Sequence, residues 1–314
     1  MLSPALIVLR LAQLGGAMIL FGSSLFLLYA LPRQGPAAGD RLAWTRRLLA
    51  ASAGAVLVAS LAGLLAQTSI LAGSVSEGLR LESLGAAVTT MKFGPAALVR
   101  GGAAALALGT ALALRPGRPL FLLCGLMGLV VNVSIAWMGH GVATAGGQGL
   151  LHTGADILHV LAAAAWIGAL VMFFGLSHGA DRQPASDPAP RRALHRALQG
   201  FAGVGSVLVA VLIVTGLVNS WFLVGPNHLS GLWSTAYGRL LSLKLGLFAA
   251  MLALATVNRF RLTPALGDAL GSGAGAAPAL AALRRSVAVE TTIGFGVLAV
   301  VAWLGTLEPV SAMG

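Results

Sequence analysis

The sequence predicts an all-α, polytopic membrane protein with eight transmembrane helices, on three observations. Of its 314 residues, 57% are apolar and 9% charged, and the mean hydropathy is +0.89; a soluble domain carries roughly 25% charged residues. Apolar runs long enough to cross a bilayer, which takes roughly 20 residues, recur along the whole chain. The basic residues concentrate in alternate loops between those runs. The same composition excludes a disordered chain, which needs low hydrophobicity. The lone cysteine, Cys124, excludes an intramolecular disulfide framework and any CxxC metal or redox motif.

In order, the spans fall near 6–31, 46–70, 95–114, 119–139, 150–176, 200–224, 238–257 and 286–306. The first is not a signal peptide, because Arg10 is its only early positive charge and no small-residue cleavage site follows. Fourteen of the 20 basic residues lie in or beside loops 32–45, 115–118, 177–199 and 258–285, among them Arg46, Arg191, Arg259 and Arg284. The positive-inside rule makes that side cytoplasmic, so both termini are expected in the periplasm. The net charge of +11 is thereby read as topology, not as a nucleic-acid footprint. Segments 179–192 and 266–279 are rich in Pro, Gly, Ala and Ser and read as disordered loops. Segment 72–93, with Glu77, Arg80 and Glu82, reads as an interfacial amphipathic helix on the outer face.

The chain reads as one integral membrane domain, 1–314, whose halves (about 1–139 and 150–314) form a parallel repeat. Phe93-Gly94 with Arg100 six residues on matches Tyr237-Gly238 with Lys244 six residues on, and Ala136-Trp137-Met138-Gly139 matches Ala302-Trp303-Leu304-Gly305. Two four-helix halves related by an axis along the membrane normal follow, an arrangement known in transporters.

Ionisable groups inside spans are costly and mark function by default. The densest set is His152, Asp156 and His159 in the fifth span, at i, i+4 and i+7, hence on one helix face and descending about 10 Å from the outer surface. Ala163 and Trp166 continue the stripe inward, and Met138 and His140 close the fourth span on the same side. Three imidazoles, a carboxylate and a thioether at one level suit a transition metal, the thioether favouring Cu(I). Asp156 is either a ligand or the acceptor that fixes a histidine tautomer. The competing reading is hydrogen bonding between packed helices.

A weaker translocation path runs through Asn132, Glu290, Lys244 and Cys124. Glu290 is either a proton or ion relay or the ion-pair partner of Arg284 or Lys244. Cys124 is either a soft exit ligand or core packing. Arg100 and Lys244 either snorkel to the surface or pair with Asp156 or anionic lipid. Asn219 and Thr215 read as helix glue, and His178 and His195 as solvated. No Walker A, GxSxG, HExxH or dinucleotide fingerprint is present, which argues against ATP-driven pumping by this chain and against an enzyme.

Most of the chain resembles the CopD/PcoD family of bacterial copper-resistance inner-membrane proteins. The resemblance rests on Asp156-x-x-His159 with Trp166-x-Gly168, Thr215-Gly216-Leu217, and Thr235-x-Tyr237-Gly238-Arg239-Leu240-Leu241-x-x-Lys244. Asn258-Arg259, Leu262-Thr263-Pro264, Arg284-Arg285-Ser286-Val287 with Glu290, and Leu304-Gly305-Thr306 follow in order. It implies eight spans in the inner membrane and copper, as Cu(I) or Cu(II), carried across it, usually as import. It also implies a periplasmic copper-binding partner of the CopC type; no such domain is expected within this chain, and no nucleic acid. The alternative is a haem-binding membrane oxidoreductase of HemJ-like type, with haem b held between His159 and His140 or His228. A copper sensor or assembly factor that moves nothing is the third reading.

Overall fold

The computed structural model describes residues 2–30, 42–91, 93–136, 146–182, 187–272 and 275–312. Among these the chain is all-helical, with eight helices long and apolar enough to cross a membrane. The elements are α1 (Leu2–Tyr29), α2 (Ala43–Leu71), the short α3 (Val75–Gly78) and α4 (Leu81–Thr90), α5 (Phe93–Ala113), α6 (Arg118–Ala136), α7 (Gly146–Asp181) and α8 (Ala189–Leu223). After a 3-10 turn come α9 (Gly231–Ser234), α10 (Ala236–Val257), a π-helical turn (Asn258–Leu262), α11 (Thr263–Ser272) and α12 (Ala276–Leu304). The segment expected to form one helix over 72–93 forms two short ones, broken at Leu79 and Arg80.

Two expected loops are helical over much of their described residues. The helix of the sixth span starts at Ala189, not near 200, and 266–272 belongs to α11. The reason is amphipathic spacing hidden in an Ala- and Gly-rich composition. Arg191, Leu194 and Ala197 repeat every third residue and are buried, and Leu194 and Ala197 pack with Leu266, Leu280 and Leu283 in one core cluster. These added turns cap the end of the bundle that carries the basic residues. At the same end Arg46 donates to the carbonyls of Ala111 and Leu112, both at 2.7 Å, and so closes the C-terminus of α5.

The first four spans close into a ring: α1 packs on α2, α2 on α5, α5 on α6 and α6 on α1. The second four do not. There α7 packs on α8 and α12, and α12 on α10, but α8 and α10 barely touch. The halves meet where α1 crosses α7. Gly22 and Gly168 lie so close there that a methyl group on either would collide with the opposite backbone, the small-residue contact that lets membrane helices approach.

Equivalent close approaches occur in each half. A methyl on Gly94 would strike Ala87 and Val88 of α4, and one on Gly238 would strike Gly231 and Leu232 of α9. Phe21 sits against Gly128, and Ile167 against Gly294.

Because the crossing has no room, Gly168→Val should cost about 1–3 kcal/mol, a typical overpacking penalty, and lower the thermal unfolding midpoint of the purified protein. Gly102 has nothing within 4 Å of a built Cβ, so Gly102→Ala should leave the midpoint unchanged or raise it.

Candidate functional site

The stripe on α7 separates into two polar sites with an apolar layer between them. The first occupies the half of the membrane away from the basic end. Its geometry begins with Thr215 of α8, whose single hydroxyl proton goes to the carbonyl of Val211 at 2.6 Å. Thr215 Oγ1 lies 2.9 Å from His159 Nδ1, so it accepts from the Nδ1–H. That assignment from the hydrogen-bond network leaves His159 Nε2 as the unprotonated nitrogen; the ring also has the Leu212 backbone as a hydrogen-bond partner. Gly216 beside it leaves room for the ring, whose Cε1 would be 3.6 Å from a Cβ there.

Around this imidazole, Asn219 donates to Asp156 Oδ1 at 3.4 Å while its own Oδ1 is buried and without a partner. Half-buried Lys244 of α10 acts electrostatically on both Asp156 and His159, and Tyr237 is also within reach of the Asp156 charge. Asp156 also lines a cavity of about 250 Å³ that reaches Arg10, Gln13, Gln67 and Arg100. His152 is buried, its ring stacked on Phe222 with centroids 4.5 Å apart. Among the described residues no group of three or more His, Cys, Asp and Glu side chains comes together to hold a metal ion. His140 and Met138 lie outside the described residues.

The second site sits seven residues further along α7, about 10 Å at 1.5 Å per residue. Trp166 Nε1 donates to Glu290 Oε1 at 3.2 Å, and Asn258 Nδ2 donates to Glu290 Oε2 at 2.7 Å. Glu290 is 2% exposed and among the described residues pairs with no cation. The two expected partners are occupied elsewhere: Arg284 pairs with Asp181, and Lys244 faces Asp156. Glu290, Asn258 and Trp166 line a cavity of about 860 Å³ in the seam between α8 and α10. His195 is not simply solvated; it is on the cavity wall, its ring against Gly267.

The other path candidates fall in the first half. Asn132 Nδ2 bridges the carbonyls of Ala17 at 2.9 Å and Gly128 at 2.8 Å, tying α6 to α1. Cys124 is fully buried beside Ala107 in the first-half core, and it lines neither cavity. Arg100 neither snorkels nor pairs with Asp156. It is buried, donating to Gln13 Oε1, Ser134 Oγ and the Ser134 carbonyl, each at 3.2 Å.

Sequence reasoning named Trp166 and Asn258 without giving them a role. What joins them to Glu290 is tertiary, although the π-helical turn at Asn258 is the kind of interruption that accompanies functional sites.

Compared with known proteins, residues 195–304 match the family described as Copper resistance protein D, and residues 1–150 match the Copper resistance protein D-like N-terminal domain. The chain is 36% identical over 308 residues to Copper resistance protein D of Pseudomonas syringae pv. tomato, covering 98% of this chain and 97% of that one. It is 29% identical over 181 residues to the inner membrane protein YebZ of Escherichia coli, 56% of each chain. It is 32% identical over 108 residues to the copper transport protein CutJ of Bacillus subtilis, 34% of this chain and 18% of that one. No solved structure matches.

The tautomer can be read directly. In ¹⁵N NMR of the histidine-labelled protein, His159 should carry its proton on Nδ1, and Thr215→Val should abolish that preference. A proton on Nε2 in the wild type would refute the assignment.

Proposed function

The chain belongs to the copper resistance protein D family, and from that premise we propose that it carries copper across the bacterial inner membrane, from periplasm to cytoplasm. The basic end is the cytoplasmic face by the positive-inside rule, so both termini and the His152–His159 end of α7 face the periplasm. The observation that carries the proposal is His159: an imidazole inside the membrane whose Nδ1–H is held by Thr215 and whose unprotonated Nε2 can ligate. Imidazole suits either oxidation state of copper.

Asp156 is the neighbouring charge that offsets an arriving cation, and Lys244 opposes it, so copper entering displaces an existing electrostatic balance rather than adding to bare charge. His152 is the relay above, once its ring leaves Phe222. His140 and Met138 are the proposed receiving groups at the outer mouth, and a periplasmic copper carrier of the CopC type is the proposed donor. The paired glycine contacts of the two halves, Gly94 with Gly238 and Gly128 with Gly294, support descent from a parallel repeat. In this reading the second half holds the cargo and the first half is its scaffold.

The double variant His152→Ala/His159→Ala should abolish copper counterflow in liposomes and copper-dependent accumulation in cells; unchanged uptake would place the site elsewhere. Thr215→Val keeps both histidines but releases the tautomer, so copper affinity should fall about 10- to 100-fold, as for other groups that orient a ligand. An unchanged affinity would remove His159 from the ligand set.

A further inference from the structure

Glu290 is a carboxyl buried inside the bundle. It lies in the half of the eighth span nearer the basic end, five residues from Arg285, about 7.5 Å at 1.5 Å per residue. An ionised carboxylate there, with two neutral donors and no cation, is poorly compensated. Its neutral form needs an acceptor for the O–H it gains. The structure holds one in place: Asn258 Oδ1 is buried and unpartnered. Turning the Asn258 amide about its last bond replaces Nδ2 with Oδ1 opposite Glu290 Oε2, while Trp166 continues to donate to Oε1. The same three residues therefore satisfy both the charged and the protonated carboxyl, with one amide turn between them.

Access is one-sided. The 860 Å³ cavity extends from Glu290 along the open seam of α8 and α10 toward His195, Arg259 and Asp268 near the basic end. On the other side a layer of Ile167, Leu212, Met251 and Leu298 closes over Glu290. Ile167 Cδ1 reaches to 2.7 Å from where a Cβ of Gly294 would be, one turn from Glu290. His195 and Asp268 are the titratable groups that share the cavity with Glu290, together with Arg259. Arg259 donates to Ser206 and lies over the Phe260 ring, Arg284 pairs with Asp181, Lys244 faces Asp156, and Arg10 donates to the Gly305 carbonyl.

We propose that Glu290 is a proton-binding site filled through this cavity from the basic end, and that its proton occupancy is coupled to the passage of copper past His159. The proton comes from water in the cavity and returns there. Nothing else is exchanged. The coupling clause rests on the copper-transport reading; proton binding does not.

The first test needs no metal. In infrared titration of the purified protein, the carbonyl band of protonated carboxylic acids should rise as pH falls, and the wild type should show a component missing from Glu290→Gln, above the signal of the other eight Asp and Glu residues common to both. Asp156→Asn should keep that component, which shows that the loss is not general. Identical carboxylic-acid bands in the wild type and Glu290→Gln at every pH overturn the site.

The second test is copper counterflow in proteoliposomes with an imposed pH gradient. Reversing the gradient should change wild-type flux several-fold and leave Glu290→Gln flux indifferent. Full gradient dependence in Glu290→Gln overturns the coupling. Absence of flux from the wild type, with the infrared band intact, overturns the transport reading and with it the coupling, and leaves the proton site standing.

Discussion

A polar group inside the hydrocarbon must be answered by another group of the same protein, because no water is there to do it. Each informative feature of this molecule follows from how that requirement is met. Polar residues whose donors find acceptors act as fasteners. Arg100 spans α5, α1 and α6 through Gln13 and Ser134, Gln13 in turn donates to the Ala59 carbonyl at 2.8 Å, and Asn132 bridges α6 to α1. These contacts tie the first four spans into their closed ring. Buried polar atoms without a partner occur in both halves, Ser24 Oγ, Ser60 Oγ and Asn132 Oδ1 in the first and Asn219 Oδ1 and Asn258 Oδ1 among those in the second; the last two lie beside Asp156 and Glu290.

The two halves differ in how their spans pack. In the first half α2 and α5 pack closely; in the second, α8 and α10 stand apart and leave the cavity below Trp166. A closed bundle has a single arrangement of its side chains. A bundle with an unfilled seam has space into which helices or water can move, which a transporter requires. The Gly22–Gly168 crossing fixes α7, the helix that carries both polar sites, against the closed half. The open seam is bordered by α8, α10 and the π-helical turn between α10 and α11.

Much of this was legible in the sequence because the membrane simplifies it. Eight spans follow from apolar length, and the special role of α7 follows from three ionisable residues on one face. Segment 266–279 was misread because Ala and Gly dilute the apolar signal, although Leu266 and Leu280 alone carry enough burial to order it. Arg100 was misjudged for a different reason. A lone basic residue near a span end ordinarily snorkels, and nothing local announces that Gln13 and Ser134, 87 and 34 residues away, will hold it. The Trp166–Glu290–Asn258 assembly was invisible for the same reason, its members being 124 and 32 residues apart in sequence. His140 and Met138 fall outside the described residues.

The separation of the two sites argues for how movement across such a layer is organised. A metal ion cannot rest among Ile167, Leu212, Met251 and Leu298 without ligands, apart from the Met251 thioether. Passage therefore requires the layer to open, and an opening that joined both cavities at once would let protons and small ions leak. A carboxyl that changes charge directly beneath the layer is well placed to prevent this. Neutral, it makes a local hydrogen-bond network with Asn258 and leaves the apolar layer undisturbed. Charged, it favours water and cations in the seam and pulls Asn258 and the π-helical turn toward one hydrogen-bonding pattern. In the transport reading proposed above, two states of this small network, biased by a proton from one side and by a metal cation from the other, would supply the bistable element that coupling requires.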